Sequence, residues 1–241
     1  AIAVQIDQAI NQLSQNFFVA VKPQIYKNYA AHQYADFIQL IFNSTIICTV
    51  LVSVISVPLM VNAEFILGLW LKTVPEYTVL FTQLVLLNSI ADSTSNPSIC
   101  AALATKKIKV FYLFTGTLII LNLPISYMLL NSGYGPEYTM YVSIIISCFA
   151  ILVRAIILKK LISLPLNKYF ILVLKLCFII GLIWYLTSMS LLLFKNPWLR
   201  VVFSSFISTI LHVIFCMGIL PQYYRKKILS FINSKINFIR V

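Results

Sequence analysis

The chain reads as an all-α, polytopic integral membrane helix bundle of about seven transmembrane helices, and three observations predict this. Of its 241 residues, 61% are hydrophobic and only 10% charged, and mean hydropathy is +0.94, which excludes a soluble core of this size. Seven apolar stretches each reach the roughly 20 helical residues that about 30 Å of hydrocarbon requires. None shows the period-two alternation of barrel strands, which would also be only about 10 residues long.

In chain order the expected spans are Ile2 to Val21, Phe37 to Val61, Tyr77 to Ala104, Ile108 to Leu130, Tyr138 to Leu161, Tyr169 to Phe194 and Trp198 to Leu220. The basic residues fall mainly in alternate connections. Lys22 and Lys27 follow the first span, Lys106, Lys107 and Lys109 the third, Arg154, Lys159, Lys160 and Lys168 the fifth, and Arg225, Lys226, Lys227, Lys235 and Arg240 the seventh. The opposite connections carry Glu64, Lys72 and Glu76, then Glu137, then Lys195 and Arg200. Lysine and arginine are retained on the cytoplasmic side, so the N-terminus of this chain is expected outside and its C-terminus in the cytoplasm. The net charge of +12 then reflects topology and contact with anionic membrane lipids rather than nucleic acid. An odd number of spans, no initiating Met and no signal-peptide layout suggest a piece of a longer gene product.

Polar residues inside spans carry the functional signal, because an uncompensated polar group in hydrocarbon costs several kcal/mol. In the first span, at 100° per residue, Ile2, Ile6, Ala9, Ile10, Leu13 and Phe17 share one face, while Gln5, Asp7, Gln8, Asn11, Gln12, Gln15 and Asn16 fill the opposite half. Half a helix of amides reads as the lining of a water-filled cavity, where amides can bond sugar hydroxyls. The alternatives are hydrogen bonds to neighbouring helices and an interfacial helix. In the third span Asn88, Asp92 and Asn96 recur at i, i+4 and i+8 beside Ser89 and Ser95, just before Pro97. A carboxylate there can bind a proton or a cation for coupled transport, or can simply fix a helix kink.

Other positions read more plainly. His212 is expected to bond a neighbouring helix, with a proton relay as the alternative, and Arg154 and Lys175 to snorkel to the nearest membrane face. Pro58 and Pro124 bend their helices, and Pro124, flanked by Asn122 and Ser126, can open its span toward a cavity. Cys48, Cys100, Cys148, Cys177 and Cys216 are far apart and form no CxxC pair, so neither a disulfide framework nor a metal site is expected, and they read as small core residues. No cofactor is expected. The segment Asn62 to Glu76 reads as interfacial with Trp70 as its anchor, and the basic stretch after Pro221 as a surface amphipathic helix or a loose tail. His32 and His212 are too far apart in sequence to suggest the membrane-edge cluster of a polymerase or acyltransferase.

Several strings resemble a known family. Val19 to Ala30, VAVKPQIYKNYA, is similar to the Pro-Gln-Ile-x-x-x-Tyr-Ala loop of Wzx-type polysaccharide flippases, members of the multidrug/oligosaccharidyl-lipid/polysaccharide exporter superfamily. Ile66 to Thr78 (ILGLWLKTVPEYT), Asn88 to Pro97 (NSIADSTSNP), Ala104 to Lys109 (ATKKIK), Leu123 to Tyr127 and Gly133 to Glu137 continue the likeness in order. Where such proteins often have Gly in the Ala-Thr-Gly-Lys turn, this chain has Lys106.

The resemblance implies the C-terminal half of a two-lobe, 14-helix transporter. Residues 1–161 would form the lobe core, 162–220 the last two helices and 221–241 a basic cytoplasmic tail. It further implies a non-enzymatic flippase of the bacterial inner membrane that moves undecaprenyl-diphosphate-linked oligosaccharide between leaflets by alternating access. Other polysaccharide-assembly membrane proteins are its implied partners. Gln5, Gln8, Asn11, Gln12, Gln15 and Asn16 would line the substrate cavity, and Asp92, Asn88, Asn96 and Asp7 would serve ion or proton coupling. A multidrug exporter of the same superfamily is the runner-up, and a membrane-embedded polysaccharide polymerase a more distant alternative.

Overall fold

A computed structural model describes residues 2–71 and 73–220. The described residues form nine α-helices: α1 (Ile2–Ala30), α2 (Tyr34–Val61), α3 (Ala63–Trp70), α4 (Thr78–Ala104), α5 (Ile108–Asn131), α6 (Tyr138–Ile162), α7 (Leu166–Ser188), α8 (Ser190–Leu193) and α9 (Pro197–Ile219). Among the described residues five segments are long and apolar enough to cross a membrane: α2, α5, α6, α7 continued through α8, and α9. The chain is therefore an all-α, multi-pass membrane bundle. The expected first and third spans fold as the helices α1 and α4, 29 and 27 residues long; these are long enough for the bilayer at about 1.5 Å per residue but are not among those five. They are less apolar than expected of spans because they carry the amide, acid and hydroxyl side chains that distinguish this sequence.

α4 is the hub and touches α1, α2 and α6. Small residues let it approach them: Ser89, Ser93, Thr94, Ser98 and Ala101 are buried on α4, and Thr45, Thr49, Ser53 and Ser56 on α2. Close backbone approach over small side chains is the usual basis of helix association in lipid. Most of these hydroxyls are satisfied locally, as when Thr45 donates to the Ile41 carbonyl at 2.9 Å and Ser93 to that of Ile90 at 2.7 Å. One pair bridges the helices, Thr49 Oγ1 donating to Thr94 Oγ1 at 3.2 Å.

α5 rests on α6, and α7 and α9 pack on α2. The burial gradient follows this order: 56% of the most apolar window of α2 is inside the bundle, against 6% for α5, so α5 lies on the perimeter. The main apolar cluster joins Phe18 and Ile25 of α1, Phe37 and Ile41 of α2, Ala101 of α4, Phe111 of α5, Leu158 of α6 and Tyr169 of α7. These residues lie toward the ends where α2, α5 and α7 begin and α1, α4 and α6 finish, so this basic end of the bundle is the most tightly closed.

Several connections differ from expectation for identifiable reasons. α1 continues nine residues past Val21, straight through Pro23, because Ile25 and Asn28 are buried in the bundle. The interfacial segment folds as α3, with Ala63 and Leu67 buried and Trp70 58% exposed. Asn62 ties its start to two helices, its Nδ2 donating to the Pro58 carbonyl at 2.9 Å and to Ser204 Oγ of α9 at 2.8 Å. The expected sixth span divides at Met189, where Thr187 and Ser188 turn their hydroxyls onto the Ile183 and Tyr185 carbonyls and compete with the helical ladder. Asn196 caps α9 through Trp198 N–H at 3.0 Å, with Pro197 at the first helical position.

The cysteines are only partly core residues: Cys48 and Cys100 are buried, whereas Cys148 and Cys177 are exposed on outward faces of α6 and α7. The stretch after Pro221 lies outside the described residues.

Candidate functional site: a polar cavity among four helices

The face of α1 that enters the bundle is rotated from the one its apolar residues predict. Ile10, Ser14 and Phe18 are buried, whereas Leu13 is 40% exposed and Ala9 is exposed as well. Two polar contacts with α4 account for the rotation. Ser89 donates to the Asp7 carboxylate, and Asn96 Nδ2 donates to Ser14 Oγ at 3.1 Å. Asp7 also accepts from Asn11 Nδ2 at 2.9 Å, and Ser14 Oγ lies 3.1 Å from Cys48 Sγ of α2. Bonding these groups inside the bundle outweighs seating Ala9 and Leu13, since a buried polar group without a partner costs about 1–3 kcal/mol.

The amides of α1 consequently divide. Gln5, Gln8, Gln12, Gln15 and Asn16 are exposed, and none makes a side-chain hydrogen bond among the described residues. They are not glue between helices. That task falls to Asp7, Ser14 and the serines of α4.

Asn11 and Gln15 also reach the wall of a cavity of about 320 Å³ enclosed by α1, α4, α5 and α6. α4 contributes Asn88, Asp92 and Asn96, α5 contributes Asn122, and α6 contributes Ser143, Ser147 and Arg154. The two polar stripes of the sequence thus meet in one place. Asn88 Nδ2 donates to Asp92 Oδ2 at 3.2 Å, and Asn122 Nδ2 donates to Ser143 Oγ at 3.3 Å while accepting from Ser126 at 3.1 Å. Asp92 faces Ser147 and feels the charges of both Arg154 and Asp7.

Arg154 corrects the sequence expectation most sharply. It does not snorkel: it is 8% exposed, gives Nη1 to Ser95 of α4 and leaves Nε without a partner among the described residues. Its contact with Ser95 and its proximity to Asp92 hold the guanidinium inside. The signal was present in the sequence, because Ser143, Ser147, Ala150 and Arg154 recur at i, i+4, i+7 and i+11, a stripe facing α4.

Below the cavity, Pro97 interrupts the hydrogen-bond ladder of α4, and Tyr169 of α7 braces this stretch. Its hydroxyl donates to the Thr94 carbonyl at 3.4 Å and lies 3.3 Å from Ser98 Oγ. His212, 1% exposed on α9, takes no part in the cavity. Its Nδ1 bonds the Ser208 carbonyl of its own helix at 2.8 Å rather than a neighbouring helix, and Nε2 has no partner among the described residues. Among the described residues no group of three His, Cys, Asp or Glu comes together to hold a metal ion. Compared with known proteins, the chain matches no family model, no curated protein and no solved structure.

Proposed function

We propose that this chain is one lobe of an alternating-access transporter that flips undecaprenyl-diphosphate-linked oligosaccharide repeat units from the cytoplasmic to the periplasmic leaflet of a bacterial inner membrane, for O-antigen, capsule or exopolysaccharide assembly. It performs no bond chemistry. The observation that carries this reading is the open amide face of α1, where Gln5, Gln8, Gln12, Gln15 and Asn16 are exposed. Such a surface is costly against hydrocarbon and suited to a hydrated path along which sugar hydroxyls exchange water for amide bonds. The resemblance of the loop and helix strings to Wzx-type flippases supports the choice of substrate.

In this mechanism α1 and α4 form the wall that moves against the other lobe. Asp7 and Asp92 stand on these two helices, and the Asp7 charge reaches Asp92. With Asn88 and Asn96 beside them, they are suited to taking up a proton or sodium ion in one state and releasing it in the other.

An exporter of organic cations is the other reading, and Asp92 favours it. Against it stand Arg154 in the same cavity and the lack of any aromatic side chain on its wall. Restoring glycan display in a flippase-deficient strain with the full-length protein, together with a dye-efflux assay, separates the two. The flippase reading expects display restored and Asp92→Asn to reduce it at least tenfold, with no dye export. Dye export abolished by Asp92→Asn, without display, supports the exporter instead.

A further inference from the structure

A second cavity, of about 360 Å³, lies on the perimeter between the first turns of α2, the start of α7 and the end of α9. Its wall combines apolar Phe42, Ile46 and Leu172 with Lys168 and Lys175, which bracket Leu172 along α7. No acidic side chain among the described residues lines it. The lysines sit seven residues apart on one face of α7, about 10 Å along the axis, and both are exposed. Lys168 occupies the first turn of α7, where the helix dipole repels a cation unless an anion is near.

The wall also holds Asn43, only 2% exposed. Its Oδ1 accepts from Gln39 Nε2 at 3.0 Å, which fixes the orientation of the amide, and its Nδ2 has no acceptor among the described residues. A buried donor left open in this way is rare in a native interior and calls for an acceptor from outside the chain. Two ammonium groups and an open amide N–H beside an apolar slot match one kind of ligand: a phosphate headgroup whose acyl chain continues along the slot. The exposed flank of α7, with Ile171 52% exposed at the rim, leaves the slot open at the side of the bundle.

We infer that this groove is a binding site for an anionic phospholipid, whose phosphate is held by Lys168, Lys175 and Asn43 and whose chain lies along Phe42 and Leu172. The site clamps the ends of α2, α7 and α9 together at the basic face of the bundle, and it is separate from the polar cavity and from the transport proposed for it.

The test is lipid retention by the full chain, purified and mixed in detergent micelles with equimolar palmitoyl-oleoyl phosphatidylglycerol and phosphatidylcholine, then examined by native mass spectrometry. The wild type is expected to retain one phosphatidylglycerol in preference to phosphatidylcholine. Lys168→Gln/Lys175→Gln should weaken retention at least tenfold and Asn43→Leu several-fold, while Lys168→Arg/Lys175→Arg retains the lipid. Circular dichroism checks that each variant is helical, and Lys175→Gln alone, on the exposed face, gives the same direction of change if the double variant unfolds. Equal retention of the two lipids, or undiminished retention by the glutamine variants, overturns the site. Complete displacement of the lipid by millimolar inorganic phosphate overturns the lipid assignment in favour of a soluble anion.

Discussion

Arg154 shows what a charged side chain does when its helix face turns inward. Its guanidinium spans from α6 to Ser95 of α4 and sits within electrostatic reach of Asp92, so each charge is tolerated inside the bundle because the other is there. Removing one alone therefore leaves an uncompensated charge. Arg154→Met is expected to lower the thermal midpoint in detergent more than Arg154→Met/Asp92→Asn does, with a coupling of about 1–3 kcal/mol in the double-mutant cycle. Additive effects would show that the two residues are independent. Two backbone positions make similar single-residue predictions. Gly133 ends α5 at φ +86°, with Tyr134 N–H on the Leu129 carbonyl and Gly133 N–H on that of Leu130, the paired bonds of a Schellman turn. Gly133→Ala should cost about 1 kcal/mol. Lys106 adopts φ +59° in the turn after α4, so the turn that resembles Ala-Thr-Gly-Lys forms with a residue less suited to it. Lys106→Gly should stabilise by about 0.5–1 kcal/mol, seen as a raised midpoint in the same assay.

At the scale of elements, the ends of α5, α6 and α9 were legible to within a residue because the apolar runs stop there, whereas α1 runs nine residues past its expected end and the sixth span breaks at Met189. The inward face of α1 was less legible. Periodicity placed Ala9 and Leu13 with the apolar half, but periodicity weighs hydrophobicity and does not see partners. The seam runs instead through Ile10, Ser14 and Phe18, because Ser14 and Asp7 find Asn96 and Ser89 across from them. Ser14, fully buried between α1, α2 and α4, tests this packing. Ser14→Leu should overpack the contact and destabilise by about 1–3 kcal/mol, whereas Leu13→Ala should cost well under that. The reverse order, measured by thermal unfolding, would restore the face that the apolar residues suggest. α6 went unread for a related reason: its three polar cavity residues are spread over twelve apolar-rich positions, and Arg154 near a basic terminus looks like a snorkelling residue until Ser95 and Asp92 are placed beside it.

For the whole molecule, the sequence signals for membrane crossing and for a polar interior proved to be one architectural fact. The least apolar long helices, α1 and α4, pack against each other, and perimeter helices such as α5 and α9 carry the exposed apolar surface, with Leu123 78% and Val202 66% exposed. The polar face of α1 breaks this order, being open without being apolar. Cysteines introduced singly at Gln8, Gln12 and Gln15 of the full-length protein, in a background lacking the five native cysteines, report directly on what it meets. With a membrane-impermeant maleimide applied to inside-out and right-side-out vesicles, these positions are predicted to react at least tenfold faster than cysteines at Leu123 and Val202. Reaction as slow as at those two lipid-facing positions, in both vesicle orientations, would contradict a hydrated path along α1.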